Sequence, residues 1–174
     1  MMGKLGLLTF LLVGSALPAA AMQLTSKDLA SGGEIATAQI YPRCGGKNVS
    51  PELQWNGAPT GTKSFVLTMI DTDVKPSHWS HWIVVDLAPS VTSLGRGIPS
   101  LPEGAQAVAS NFGDKFYDGP CPPDGTGVHH YEFTIWAMPE TATSIAADAK
   151  ASDVATMLAA RAIAKATLTG WVKR

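Results

Sequence analysis

The fold of this chain is decided by the stretch SFVLTMIDTDVKPSHWSHWIVVDLAP, residues 64–89. It begins with an apolar run at 64–70, passes through a polar segment, and returns to a second apolar run at 81–87. Apolar residues on both faces of a strand are typical of a central position that is covered from both sides. We therefore expect two neighbouring antiparallel strands, joined at one end of the sheet by the polar segment.

Further elements lie on either side of this pair. The run HYEFTIWAM (130–138) is rich in aromatic and β-branched residues and predicts a third strong strand, and ATAQIY (36–41) predicts a first, shorter one. The alanine-rich stretch at 152–170 predicts a C-terminal helix, with Ser152 as its N-cap and Gly170 as its stop. This order indicates a mainly β, antiparallel domain with peripheral helices.

The first residues have the layout of a secretory signal peptide. A short basic start is followed by an apolar run at 5–17 and by small residues up to Ala21. The apolar run is shorter than the roughly 20 residues that span a bilayer. We therefore predict a signal peptide at 1–21, a single domain at 22–174, and a periplasmic or secreted protein without stable membrane insertion.

Charge and cysteine content narrow the function. The 174 residues include 13 Lys and Arg against 14 Asp and Glu, and no basic patch points to nucleic acid as a partner. Two cysteines, Cys44 and Cys121, favour a disulfide in an exported chain, and two buried free thiols are the alternative. No phosphate-binding loop or dinucleotide motif occurs. The spacing of His78 and His81 would suit a metal-binding pair on a helix, but the surrounding sequence predicts a loop and a strand. We expect no cofactor and no metal.

Two groups of polar side chains fall at strand ends. Asp71 and Asp73 follow the first central strand, and His81 opens the second. His129 and Tyr131 lie at the start of the third strand and share a face, because side chains alternate along a strand. If the three strands are neighbours, these side chains meet at one end of the sheet.

Such a group of side chains suits a small oxyanion. Imidazole and phenol groups donate hydrogen bonds, and a carboxylate behind a histidine fixes its tautomer. The glycine- and proline-rich loop at 118–127 can add backbone amides in a rigid frame. The carboxylates repel an anion unless they point to the histidines or to a cationic part of the ligand, so a phosphoethanolamine-like zwitterion fits. Taken singly, each of these residues is as typical of a turn or of a structural hydrogen bond as it is of a binding site.

The same stretches resemble a known family. Residues 44–89, 117–138 and 164–174 are similar to the phosphatidylethanolamine-binding proteins, in particular to their bacterial Raf-kinase-inhibitor-like branch. The resemblance covers nearly all of the mature chain, and its three signatures occur in the right order. It implies a Greek-key β domain with two antiparallel sheets, and a small pocket that binds phosphate or a phospholipid head group.

The resemblance also implies the residues of that pocket. The family's Asp-Pro-Asp-x-Pro motif falls on 71–75, its His-Trp strand opening on 81–82, and its Gly-Pro-x-Pro-Pro…His-x-Tyr loop on 119–131. The implied ligand-binding residues are Asp71, Asp73, His81, Gly119, Pro120, His129 and Tyr131. Thr72 and Lys75 stand where the motif has proline, and Lys75 adds a cation beside the implied pocket.

These observations lead to a hypothesis with two alternatives. We expect a non-enzymatic protein that binds a small anionic or phosphorylated ligand. The first alternative is an enzyme that processes phosphoesters with Asp71, His81 and His129, although the chain contains no Gly-x-Ser-x-Gly motif. The second is an inhibitor or interaction module that presents the proline-rich loop or the region of Trp79 to a protein partner. Kinase inhibition is not expected of an exported protein.

Overall fold

The computed structural model describes residues 21–174, so the predicted signal peptide at 1–21 lies, except for Ala21, outside the described residues. The described part contains nine strands, one α-helix and one 3₁₀ turn. The strands are β1 (Gln23–Thr25), β2 (Gly33–Glu34), β3 (Leu53–Asn56), β4 (Ser64–Asp71), β5 (Trp79–Leu87), β6 (Ser93–Leu94), β7 (Gln106–Ala107), β8 (Val128–Met138) and β9 (Ala164–Lys173). The helix α1 spans Ala151–Arg161, and the 3₁₀ turn spans Pro42–Cys44.

The strands form two sheets. Six strands pair in the order β2-β9-β8-β4-β5-β7, and three pair in the order β1-β3-β6. After β7 the chain returns so that β8 lies beside β4, which gives the strand order of a Greek key. The pairs are antiparallel except for β2 with β9, which is short and parallel. The predicted mainly β fold with two sheets and a C-terminal helix is confirmed.

The main core lies between the two sheets. Trp55 of β3 packs edge-on against Phe65 of β4, with ring centroids 5.7 Å apart, and both side chains are buried. Phe133 and Ile135 of β8 lie in the same core, because every second residue of a strand faces inward. Burial of each such side chain contributes roughly 1.5–3 kcal/mol.

A smaller core covers the outer face of the six-stranded sheet. Val154 and Leu158 of α1 are buried there against Ile83 and Val85 of β5. The helix therefore packs on the face of β5 opposite the main core. It contributes no residue to the cavity described below.

The predicted boundaries of two elements are wrong. The helix expected at 152–170, with Ser152 as N-cap and Gly170 as stop, instead has Lys150 at its N-cap and ends at Arg161. The remainder becomes β9, in which buried and exposed residues alternate along ten residues. The pairing of β9 with β8 outweighs the helix propensity of its alanines. The strand expected at 36–41 forms turns, and the first strands lie before it.

A β-bulge in β5 prepares the functional site. Met69 of β4 pairs with Trp82, while the next residue, Ile70, pairs with Ser80. His81 is therefore an additional residue in β5, and it shifts the alternation of side chains that follows. Such bulges re-aim a side chain at the end of a sheet, and here His81 points to the inner side of the sheet.

A disulfide joins two distant loops. Cys44, at the end of the 3₁₀ turn, is bonded to Cys121 in the loop before β8, across 77 positions of sequence. The structure thus contains the predicted bond. Arg174 contacts Cys44 Sγ and donates to the carbonyl of Pro122 at 3.2 Å, so the last described residue also holds this loop.

Loss of the disulfide should destabilise the protein. We expect the double variant Cys44→Ser/Cys121→Ser to lose about 2–4 kcal/mol of unfolding free energy, because the bond restricts the unfolded chain. Urea denaturation of the variant and of oxidised and reduced wild type measures the change. Reduced wild type should match the variant, and a variant as stable as oxidised wild type would contradict the expectation.

Candidate functional site

A cavity of about 300 Å³ lies where β4, β5 and β8 meet the loop that precedes β8. Asp71, His81, His129 and Tyr131 all line it. The structure thus brings together four of the seven ligand-binding residues proposed from the sequence, although they come from three strands.

Strand pairing fixes these positions. Asp71 is the last residue of β4, and it lies opposite Tyr131 of β8 on one side and Trp79 of β5 on the other. His129 precedes Tyr131 by two residues and therefore lies on the same face of β8. The convergence follows from the register of the central strands and from the bulge at His81.

A buried carboxylate–imidazole pair lies at the centre of the cavity wall. His129 Nδ1 donates to Asp71 Oδ2 across 2.7 Å, and both side chains are almost fully enclosed. Asp71 Oδ1 accepts a second hydrogen bond from the amide of Asp73 at 2.9 Å. The Nε2 atom of His129 lies 3.0 Å from the hydroxyl of Thr126. The carboxylate therefore fixes the orientation of the ring and leaves Nε2 on the side of the loop.

His81 is enclosed by aromatic rings. Its Nδ1 donates to the main-chain carbonyl of Asp118 at 2.8 Å. The rings of Phe112 and Tyr131 pack against it, each with a centroid distance of 5.1 Å. Burial lowers the pKa of His81 to about 4, because the enclosed site disfavours the charged ring. The ring is therefore neutral at pH 7, with its proton on Nδ1.

The Tyr131 hydroxyl is a buried donor. It makes no hydrogen bond of normal geometry with residues 21–174, although the Asp71 carboxylate lies near enough to interact with it. Burial raises the pKa of Tyr131, and the nearby Asp71 carboxylate raises it further, so the phenol stays protonated. A buried polar group without a partner costs roughly 1–3 kcal/mol. A ligand atom that accepts this hydrogen bond would remove that cost.

Asp73 lies beside the cavity rather than in its wall. Its carboxylate accepts hydrogen bonds from the amide of His130 at 2.7 Å and from His130 Nδ1 at 2.8 Å. The bond from the His130 amide is the main reason that the pKa of Asp73 is lowered. Asp73 therefore ties the segment after β4 to β8, and its amide supports Asp71.

Gly119 and Pro120 lie behind the cavity. The Gly119 amide donates to Asn48 Oδ1 at 2.7 Å, and the Pro120 carbonyl accepts from the amide of Tyr41 at 3.1 Å. The Gly119 amide is thus occupied within the protein and is not free for an anion. The loop instead contributes to the cavity wall through Cys121, Pro122 and Pro123.

Several residues around the site could not be identified from local sequence patterns. Phe112, which packs on His81, stacks on Tyr41 at 6.0 Å and meets Trp79 edge-on at 5.7 Å. Thr126, the partner of His129, lies in a loop where any polar residue is unremarkable in sequence. Only a correct placement of the segment at 110–120 against β5 would have identified the contacts of Phe112.

Asp118 is a buried carboxyl next to the site. One oxygen accepts from Ser110 Oγ at 2.9 Å, and the other has no partner among the described residues. Burial raises the pKa of Asp118 to about 6, and the nearby Asp114 carboxyl adds to the rise. The side chain belongs to the frame of the cavity, since its main-chain carbonyl holds His81.

With the fold and the cavity defined, comparison with known proteins gives the family. Residues 25–173 match the family described as phosphatidylethanolamine-binding protein. The chain belongs to this family, which confirms the resemblance seen in the sequence.

Individual relatives agree in sequence and in structure. The chain is 38% identical over 159 residues to the UPF0098 protein YbcL of Escherichia coli, covering 87% of each chain. It is 35% identical over 157 residues to a UPF0098 protein of Aquifex aeolicus, covering 89% of this chain and 90% of the relative. The crystal structure of E. coli YbcL, described as a member of the mammalian PEBP family, superposes with a TM-score of 0.84 at 35% identity, covering 89% and 99% of the two chains.

Two further properties concern membranes and metals. Between residues 21 and 174, no helix has the length and apolar character needed to cross a bilayer. In the same part of the chain, no group of three or more His, Cys, Asp or Glu side chains has an arrangement that could hold a metal ion.

The close approach behind the cavity predicts a steric requirement at Gly119. A Cβ atom there would lie 2.2 Å from the carbonyl oxygen of Gln39, which is backbone and cannot move aside freely. We expect Gly119→Ala to lower the free energy of unfolding by about 1–3 kcal/mol. The matched control is Gly95→Ala, where a Cβ meets no atom within 4 Å. Thermal denaturation that gives both variants the same midpoint would refute the requirement.

The buried carboxyl of Asp118 predicts a pH-dependent difference in stability. The pKa of about 6 in the folded state lies above the usual value of 3.8 for an aspartate, so ionisation of Asp118 at higher pH destabilises the fold. Asp118→Asn keeps a neutral side chain at every pH. We expect this variant to be more stable than wild type at pH 8, by roughly 1–2 kcal/mol. The difference should shrink as the pH falls through 6 and vanish below 3.8.

Urea denaturation at several pH values measures this difference. Ser110→Ala, which removes the partner of one carboxyl oxygen, serves as a comparison that retains the ionisable group. A difference between wild type and Asp118→Asn that stays constant from pH 4 to pH 8 would show that Asp118 does not ionise as described.

Proposed function

We propose that this chain is a non-enzymatic binding protein for a small anionic ligand that carries a phosphate group, and that it acts in the periplasm or outside the cell after export. The observation that carries the proposal is the enclosed Tyr131 hydroxyl, which lacks a partner among the described residues and shares a cavity with two oriented histidines. A volume of about 300 Å³ suits a small ligand.

Hydrogen-bond donors favour an anion in this cavity. The Tyr131 hydroxyl is one donor, whereas the Thr126 hydroxyl beside His129 already donates to the carbonyl of Pro123 at 2.7 Å. When His129 is protonated, its Nε2 also donates, and Asp71 balances the positive charge of the ring. These groups lie in a largely apolar wall, in which hydrogen bonds to a charged ligand are stronger than in water.

The negative charge of Asp71 is directed away from the ligand. One of its oxygens accepts from His129 and the other from the amide of Asp73. Asp73 is likewise engaged by His130. Asp71 is therefore not free to bind the ammonium group of phosphoethanolamine, and Asp73 lies outside the cavity wall, so the contacts support the phosphate part of that ligand more than its cationic part.

The proposal of export depends on the sequence at 1–21, which has the layout of a signal peptide. The disulfide supports it, because such bonds persist in oxidising compartments. The family membership is compatible with a binding function, and a ligand for this chain is our proposal alone.

An enzyme that processes phosphoesters is the second candidate. The 2.7 Å bond between His129 and Asp71 favours it, because a carboxylate that orients an imidazole is a common arrangement in general acid–base catalysis. Both cysteines are bonded to each other and therefore cannot act as nucleophiles. Turnover is included as an outcome of the experiment below.

The proposal is tested by titrating the protein with inorganic phosphate and following the ring signals of the four histidines by NMR. We expect the signals of His81 and His129 to shift and that of the exposed His78 to stay unchanged. Tyr131→Phe removes only the hydroxyl and should weaken phosphate binding by roughly ten- to hundredfold, since a hydrogen bond to a charged group contributes about 1.5–3 kcal/mol.

The controls separate binding from other functions. His78→Ala, outside the cavity, should leave the affinity for phosphate unchanged. Hydrolysis of a phosphomonoester that His129→Ala abolishes would replace the proposal with the enzyme. Absence of any phosphate-dependent shift at His81 and His129 would refute anion binding at this site.

A further inference from the structure

The two imidazoles of the cavity are bonded through the same ring nitrogen. His81 Nδ1 donates to the carbonyl of Asp118, and His129 Nδ1 donates to Asp71. A carbonyl or carboxylate oxygen can only accept, so Nδ1 of each ring must carry a proton. In the neutral ring, Nε2 then carries no proton, so its lone pair accepts a hydrogen bond and the atom cannot donate one.

His81 offers this lone pair to the cavity. The one hydrogen bond of the ring to the described residues is made by Nδ1, and the ring lines the cavity. The groups around the ring are Asp71 from β4, Tyr131 and His129 from β8, and the loop carbonyls of Asp118 and Gly119. The enclosure by Phe112 and Tyr131 opposes a positive charge on the ring.

We propose that the cavity selects an oxyanion that still carries an acidic hydroxyl group, so that inorganic phosphate and the monoanions of phosphomonoesters bind in preference to sulfate and phosphodiesters. This inference rests on the proposed anion binding and names the ligand class of the same site. The hydroxyl of the ligand donates to His81 Nε2, while an unprotonated oxygen accepts from the Tyr131 hydroxyl.

An oxyanion without a hydroxyl cannot donate a hydrogen bond to His81 Nε2, which is an acceptor. Sulfate and phosphodiesters carry no proton at neutral pH, so one of their oxygens would face the lone pair of His81 Nε2 with no hydrogen between them. The alternative is protonation of His81, which its burial opposes. Recognition through a required hydrogen bond gives strong discrimination, because the analogue leaves a buried polar group unpaired.

The choice of ligand has a consequence for the source of the phosphate. An intact phospholipid head group is a phosphodiester and has no acidic hydroxyl at neutral pH. Inorganic phosphate retains one, and free phosphoethanolamine retains one below about pH 6, where its second ionisation falls. The cavity thus favours a small soluble phosphate compound over the head group of a membrane lipid. Lys75, at the side of the site, does not change this preference, because it attracts both kinds of anion.

The decisive comparison uses ethyl phosphate and dimethyl phosphate. The two compounds have the same atomic composition, and at about pH 5.5 each carries mainly one negative charge, because the second ionisation of a phosphomonoester falls near pH 6. They differ in the acidic hydroxyl, which only ethyl phosphate has. We expect ethyl phosphate to bind wild-type protein roughly ten- to hundredfold more tightly than dimethyl phosphate, as measured by calorimetry or NMR titration.

Variants assign the preference to His81. His81→Phe keeps an aromatic ring but removes Nε2, and it should bring the affinities for the two compounds to within about threefold of one another. The matched control is His78→Phe at the exposed histidine, which should keep the wild-type preference. Because His81→Phe also removes the partner of a buried carbonyl, nitrogen NMR of wild type provides a second test. It should show a proton on Nδ1 of His81 and none on Nε2 in the free protein.

The outcomes separate this inference from the function on which it rests. Equal binding of ethyl and dimethyl phosphate by wild type, or a proton on Nε2 of His81, would overturn the selection of a protonated oxyanion and leave anion binding intact. A failure of ethyl phosphate, dimethyl phosphate and inorganic phosphate to bind would overturn both proposals.

Discussion

The hydrogen bond between Asp71 and His129 is the interaction on which the cavity depends. Both side chains are buried at the end of the sheet, where an unpaired carboxylate would be costly. The bond joins β4 to β8 through side chains in the same place where the two backbones pair, because Asp71 lies opposite Tyr131. It fixes the ring of His129 and occupies the carboxylate, and so it determines which atoms are left for a ligand.

The central strands and most of the cavity were predictable from sequence for a physical reason. Long apolar runs such as 64–70 are unambiguous, and titratable side chains directly after them must lie at the end of a sheet. His129 and Tyr131 share a face in any β-strand, which requires no knowledge of the fold. Residue type and strand position were therefore enough to bring these side chains together.

Other features depend on contacts that no local pattern contains. The segment that became β9 has the alanine content of a helix, and only its pairing with β8 makes it a strand. The bulge at His81 is a property of two strands in register. The bond that fixes the tautomer of His81 ends on a main-chain carbonyl, that of Asp118, which any residue type could supply. The inferred selectivity for the ligand therefore depends on the three-dimensional structure and could not be predicted from the sequence.

The loop from Cys121 to Gly127 is anchored at both ends. The disulfide holds its start, and Arg174 pairs with Asp124 at 2.6 Å and exchanges main-chain hydrogen bonds with Gly127 at 3.3 Å. Because both ends of this loop are held, we do not expect it to open as a lid over the cavity. Trp79 and Phe112, two partly exposed rings, line another side of the cavity. For a ligand that enters there, rotation of these side chains, rather than loop opening, would set how fast the cavity fills and empties.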